Sequence, residues 1–168
     1  VLLKSIEKSR YRKHLNLTIG ASIITLLFSS LGLSALFIAV VSQPGADNFM
    51  LNLMAVVVSV ALIVSVLISS KHRPFFMEIY YVWRLKMELN FINAKLHKIE
   101  ASAKKATPTA VTILAFYYQG SRQLWALDDN MISIDSLELK QAKLADTIAS
   151  AQLNINVDDY QRILLKQF

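Results

Sequence analysis

Charged residues are missing from one long part of this chain. None occurs from Leu15 to Ala46 or from Asn48 to Ser70, and Asp47 is the only charge in the interval. At a rise of about 1.5 Å per residue, either run is long enough to cross a hydrocarbon core of about 30 Å. The stretch Ser42 to Asn48 between them is polar, and its Pro44-Gly45 pair marks a turn. The pattern predicts a transmembrane helical hairpin over 15–70, with spans of about 15–41 and 49–70 and a loop at 42–48. A basic arm, 1–14, precedes it, and a helical domain, 71–168, follows.

Past the hairpin the spacing becomes that of amphipathic helices. Pro74 removes a backbone donor, so a break is expected near Ser70. Val82, Leu85, Leu89, Ile92, Leu96, Ile99 and Ala103 then recur at alternating spacings of 3 and 4, the seam of a coiled coil. Arg84, Lys86, Glu88 and Lys95 fall elsewhere around that helix. The seam can be filled by another helix of the same chain or by a second copy; the first is favoured, because later helices also need a partner. Thr107 suits an N-cap and Pro108 the first position of a helix to about Leu127, with Ala110, Leu114, Tyr117, Ser121 and Leu124 inward. Gly120 inside it costs about 1 kcal/mol relative to Ala, which suggests close approach by another backbone.

Asp128-Asp129-Asn130 closes that helix although carboxylates there oppose the macrodipole, so they need another reason. Met131 to Ile134 is a connector. Asp135 with Glu138 is placed as a capping box for a third helix bearing Leu137, Leu144, Ile148 and Leu153. Asn156, Asp158 and Asp159 open a last short helix with Ile163, Leu164 and Phe168 as its buried candidates. The predicted class is all-α: an N-terminal hairpin and a small bundle of four helices, with no strand.

Within the spans, small residues recur four apart at Ser30/Ser34, Ala35/Ala39 and Ala61/Ser65/Ser69, a spacing that lets helices approach closely. No ionisable residue lies inside either span, which argues against an ion path or proton relay.

Charge sets the orientation. Lys4, Lys8, Arg10, Arg12 and Lys13 against Glu7 give the arm +4, Lys71 and Arg73 add +2, and the loop carries −1. By the positive-inside rule both ends lie in the cytoplasm. The first apolar run exceeds a signal peptide's core and a second follows, so a retained anchor is expected. Arg10, Arg12, Lys13, Lys71, Arg73, Phe75 and Phe76 are the expected membrane-interface residues, facing anionic headgroups of a lipid bilayer. Tyr80, Tyr81 and Trp83 suit that interface or the domain core equally. From Pro74 onward the net charge is only +1 of the chain's +6, so no nucleic-acid partner is expected. Cysteine is absent, which removes disulfides, thiolate metal sites and thiol nucleophiles.

His14, His72 and His97 form no helical metal pair, and no phosphate loop, dinucleotide fingerprint or serine elbow occurs. No catalytic residue, metal or cofactor is expected. The candidate working surface is the block Gly120 to Asn130. On a continuous helix Arg122 and Asp129, seven apart, share a face with Gln119 and Gln123 beside Tyr118 and Trp125. The candidate partner-binding residues are Tyr118, Arg122, Gln123, Trp125, Asp128 and Asp129, types enriched in binding hot spots. The competing reading makes Arg122 an ion-pair partner of another helix and Trp125 a core residue.

Three blocks carry a resemblance: Arg10 to Asn16 (RYRKHLN), Tyr81 to Lys86 (YVWRLK) and Gly120 to Asn130 (GSRQLWALDDN). Through them the chain resembles a small family of bacterial two-span membrane proteins known as a domain of unknown function. The resemblance implies a bacterial inner-membrane location and a hairpin-plus-helical-domain layout; it implies no activity. The expected function is a membrane-anchored interaction module, docking a partner or joining a larger assembly at the cytoplasmic face of the inner membrane, with a protein or a second copy of the chain as the expected partner. The alternative is a small membrane-bound enzyme or ligand sensor built on Arg122, Asp128 and Asp129.

Overall fold

The computed structural model describes residues 2–43, 46–129 and 134–168, with side chains in the last stretch from Ser136 onward. It is all-helical, and no strand occurs among the described residues. In order come α1 (Lys8–Val41), α2 (Phe49–Ser69), a 3-10 turn (Ser70–His72), α3 (Pro74–Asn93), α4 (Leu96–Ala103), α5 (Pro108–Leu127) and α6 (Ile134–Ser150). Two further 3-10 turns, Val157–Asp159 and Arg162–Gln167, end the chain. The residues form two compact units. One is the hairpin unit, Ser9–Ile79; the other joins the residues through Lys8 to Tyr80–Phe168.

In the hairpin unit α1 and α2 are both long and apolar enough to cross a membrane, and almost none of either apolar segment is buried. Leu27, Phe28 and Leu31 on α1 and Val57, Leu62 and Val66 on α2 stand exposed. A helix apolar all round is at home in a hydrophobic medium, so the pair suggests membrane association. Some polar groups pair, the Ser34 hydroxyl donating to Asn52 and Ser42 to the Asn48 side chain at 2.6 Å, whereas the buried Ser59 hydroxyl has no hydrogen-bond partner among the described residues. The buried small residues of α2 are Ala55 and Ser59, one turn apart. The expected stripe Ala61/Ser65/Ser69 is exposed instead, and Ser65 bonds back to the Ala61 carbonyl at 2.7 Å. The Pro44-Gly45 turn lies outside the described residues. The break before Pro74 is present, with Arg73 extended and its N–H donating to the Ser70 carbonyl at 2.9 Å.

In the second unit the seam residues Leu85, Leu89, Ile92, Ile99 and Ala103 are buried in the chain's own core with α5, while Val82 is buried outside that cluster and Leu96 is half-buried. It is not one helix. α3 stops at Asn93 and α4 restarts at Leu96. Long-range bonds hold the interruption: Tyr117 donates its hydroxyl to Asn93 at 3.1 Å, and the Lys95 ammonium donates to the Leu165 carbonyl at 2.8 Å. Heptad spacing carries no trace of either.

Pro108 opens α5 at its first turn, with Thr107 extended before it but making no side-chain cap bond. Every residue from Ala110 to Phe116 is buried, far more than the single inward face expected; Tyr117 and Leu124 are only half-buried. α4, α6 and the turn at Val157–Asp159 all pack on α5, and its stretch Ala110–Phe116 has no free side. At Gly120 an added Cβ would lie 3.1 Å from Leu89 Cδ2 and 3.3 Å from Leu85 Cδ1, so side-chain tips, and not a backbone, make the close approach.

The connector Met131 to Ser133 and the side chain of Asp135 lie outside the described residues. Leu137 and Leu144 of α6 are buried as expected. The C-terminal segment is 3-10 and not α-helical, with Asn156 accepting from the Asp158 N–H at 3.1 Å. At three residues per turn, Leu165 and Phe168 share a side. Leu165 is therefore buried and Ile163 is 59% exposed, which corrects the expected burial of Ile163.

Glu88 lies inside, not on the outer face of α3, and is 2% exposed. It accepts from the Tyr160 hydroxyl at 2.7 Å and from Arg162 at 3.0 and 2.5 Å, while Tyr160 stacks on Phe116 at 4.1 Å. Burial alone would raise the Glu88 carboxyl; the bonds from Arg162 and Tyr160 and the guanidinium charge outweigh it and hold it below the ordinary value. A depressed carboxylate stabilises the fold above its ordinary pKa, and that contribution is lost as pH falls through the folded value. Glu88→Ala should therefore cost on the order of 2 kcal/mol at neutral pH, with Arg162 half-exposed keeping it below a fully buried pair. Thermal melts across an acid series should show the mutant and the parent converging as pH falls. Leu89→Asp and Ile92→Asp should each unfold this unit by burying an unpaired charge, read as loss of the cooperative melt.

Candidate functional site

The residues ahead of α1 are irregular from Leu2 to Glu7 and pack on the second unit. Leu3 joins the core beside Gly120. The backbone holds next: the Lys4 N–H donates to the Tyr81 hydroxyl at 2.9 Å, and the Gln123 amide donates to the Lys4 carbonyl at 2.5 Å. Tyr81 in turn donates to the Gln123 carbonyl oxygen at 3.1 Å, which closes the triangle. Burial pushes the Tyr81 phenol up, so it stays a neutral donor. Residues 2–7 are not helical, and the Leu3 side chain packs on the core.

Between this arm, α5 and α6 runs an open groove of about 710 Å³. Ala115, Leu144 and Ile148 supply an apolar floor, while Gln119, Arg122, Gln123 and Gln141 supply polar edges. Tyr118 stands at the floor, 5% exposed, with its hydroxyl 3.5 Å from Glu100. Burial, then the Glu100 charge, pushes its phenol up to about 12.

The predicted site residues divide. Tyr118, Arg122 and Gln123 line the groove; Trp125, Asp128 and Asp129 do not. Trp125 is half-buried and packs against the core. α5 ends at Leu127, and Asp129 turns the chain with φ 57°, so the helical face expected to join Arg122 to Asp129 is not continuous. Three separate ion pairs form instead. Arg122 meets Glu138 at 3.3 Å, Asp128 meets Lys86 at 2.9 Å, and Asp129 meets Lys8. The last two give the reason the carboxylates needed at a helix C-terminus. Among the described residues no group of three or more His, Asp or Glu is placed to hold a metal ion.

Leu3, Lys4, Tyr81, Gln141 and Ala145 were absent from the sequence-based site. The apolar pair Leu2-Leu3 inside a basic arm was the one signal for the first of these. Tyr81 was masked by its nearness to the span.

The expected membrane-interface residues all belong to the hairpin unit. Arg10 pairs with Glu78; Arg12, Lys13 and Arg73 are exposed; and Lys71 is half-buried. Phe75 packs on the His14 ring at 4.1 Å and on Phe76 at 5.0 Å.

Compared with known proteins, residues 1–165 match the family described as Protein of unknown function (DUF3087). No curated protein and no solved structure matches the chain.

Removing one donor should loosen the arm alone. Tyr81→Phe is expected to cost about 1 kcal/mol and to speed hydrogen exchange at the Lys4 amide, with α5 amides unchanged. The raised Tyr118 phenol has the opposite pH sense to Glu88. Its stabilisation is complete below the ordinary value of 10.0 and drains away as pH climbs toward about 12. Alkaline melts should show Tyr118→Phe losing stability less steeply than the parent over that window.

Proposed function

The chain belongs to the DUF3087 family, and from its architecture we propose that it is a membrane-anchored helical module that docks a protein partner at the cytoplasmic face of a bacterial inner membrane. Support for the anchor comes from two apolar helices with exposed side chains. Support for the orientation comes from the basic arm and Lys71/Arg73 against a loop whose only charge is Asp47. Arg10, Arg12, Lys13, Lys71 and Arg73 then face anionic headgroups of the inner leaflet, with Phe75 and Phe76 beside them.

The groove between arm, α5 and α6 is the observation that carries docking. It has an apolar floor with polar edges, it is open, and it presents an exposed arginine and three side-chain amides. That combination suits a partner segment that buries an apolar side chain and is oriented by hydrogen bonds. Tyr118, Arg122 and Gln123 make the central contacts in this reading. A second copy of the chain is an allowed partner.

Reporter fusions in the 42–48 loop and after Phe168 should place the first outside and the second in the cytoplasm; the opposite signals overturn the orientation. Arg122→Ala should abolish co-purification of the partner from mild-detergent extracts. It should also shift stability by under about 0.5 kcal/mol, because the Glu138 pair is exposed. A mutant that keeps the partner, or that melts much earlier than the parent, removes the groove from the docking role.

A further inference from the structure

A second face of the same unit is built from α3 and the last 3-10 turn. Trp83, Met87 and Phe91 lie four residues apart on the side of α3 away from its buried residues, at 54%, 38% and 42% exposure. Ile163 adjoins Phe91 in a shallow hollow of about 380 Å³, completed by Lys95, Arg162, Leu165 and Lys166. Tyr80 stacks on Trp83 at 5.7 Å, and the Arg162 guanidinium sits 4.4 Å above the Phe91 ring. Scattered apolar residues on a surface need no explanation, but a row that includes an exposed Trp and Phe does.

The charge around the row decides what can cover it. The segments Tyr80–Asn93 and Tyr160–Phe168 contain one acidic side chain, Glu88, and it is buried and held by Arg162 and Tyr160. Arg84, Lys86, Arg162 and Lys166 are exposed on the same segments, with Lys95 between them; Lys86 is neutralised by Asp128 and Arg162 by Glu88, so Arg84, Lys95 and Lys166 set the basic character of the rim. A second copy would bring one basic rim against another, which disfavours self-association through this face. An anionic lipid surface complements both features: headgroup phosphates meet Lys and Arg, and the headgroup zone accepts Trp, Met and Phe.

We propose that this face is a lipid-docking surface for anionic bilayers, with Trp83, Met87, Phe91 and Ile163 entering the headgroup zone and Arg84 and Lys166 meeting the phosphates. It is distinct from the basic flanks of the hairpin and involves none of the groove residues. The second unit thereby carries its own membrane affinity.

The absence of cysteine makes the test direct. Ile163→Cys, at an exposed position, takes an environment-sensitive fluorophore on the full chain reconstituted into vesicles of phosphatidylcholine with or without phosphatidylglycerol. The emission should shift to the blue only with phosphatidylglycerol, and it should revert near 1 M salt, where the screening length is about 3 Å. Arg84→Glu with Lys166→Glu should remove at least about half of that shift, given the contribution of each cation near an anionic surface. A label at Lys143→Cys, on exposed α6, should not respond. No shift in either lipid, or an equal shift in both, overturns the proposal. So does a shift that grows with protein-to-lipid ratio and yields crosslinked pairs, which assigns the face to a second copy.

Discussion

Everything in the second unit is arranged to cover α5. Seven consecutive residues, Ala110 to Phe116, are buried, which no single partner helix could achieve. α3 and α4 cover one part, α6 another, the Tyr160 ring stacks on Phe116, and Leu3 reaches Gly120 from the arm. A helix that is apolar nearly all round must be enclosed or it will associate with something else. In a unit this small, enclosure takes contributions from both ends of the chain, which is why irregular and 3-10 segments take part.

That enclosure explains the buried carboxylate. The last 3-10 turn has too few apolar residues to hold itself down by burial, and Ile163 does not contribute. Glu88 instead fixes it through Tyr160 and Arg162. A buried carboxylate is expensive to desolvate, and removing one partner leaves the other stranded. Such a pin is weak as a source of net stability but strict about geometry, since it fits one arrangement of α3 and the C-terminal turn. The same logic runs at the other terminus, where Lys4, Tyr81 and Gln123 close a triangle that defines one path for the arm.

The parts legible in the sequence were those set by local rules. Two charge-free runs separated by Pro-Gly gave the apolar helix pair, Pro74 gave the break, and Pro108 with Asp128 bounded α5, whose end was expected at about Leu127 and lies there. Residues whose roles depend on distant partners were not legible. Glu88 looked like a solvent-facing residue because nothing nearby reveals Tyr160 and Arg162. The seam looked continuous because its interruption is held by Tyr117 and Lys95 bonds to remote atoms. Of the candidate site, Tyr118, Arg122 and Gln123 came from one helix face and share the groove. Asp129 was joined to them only by assuming that α5 continued past Leu127, and its partner Lys8 lies 121 residues away.

The distribution of ion pairs also bears on what the groove can do. Asp128 and Asp129 are engaged by Lys86 and Lys8, and Arg122 by Glu138, so the three charges first grouped together answer to three different partners. A centre for chemistry needs groups converging on one point, with shifted pKa values matched to proton transfer. The pronounced shifts here, at Tyr118 and Tyr160, raise phenols and keep them protonated donors. The other polar side chains along the groove are those of Gln119, Arg122, Gln123 and Gln141, with Lys4 and Ser5 on the arm. Because Leu3, Lys4 and Ser5 form one wall of that groove, any segment that settles there also touches the arm. Under the proposed docking role, occupancy of the groove would therefore be coupled to the order of the arm through the bonds among Lys4, Tyr81 and Gln123.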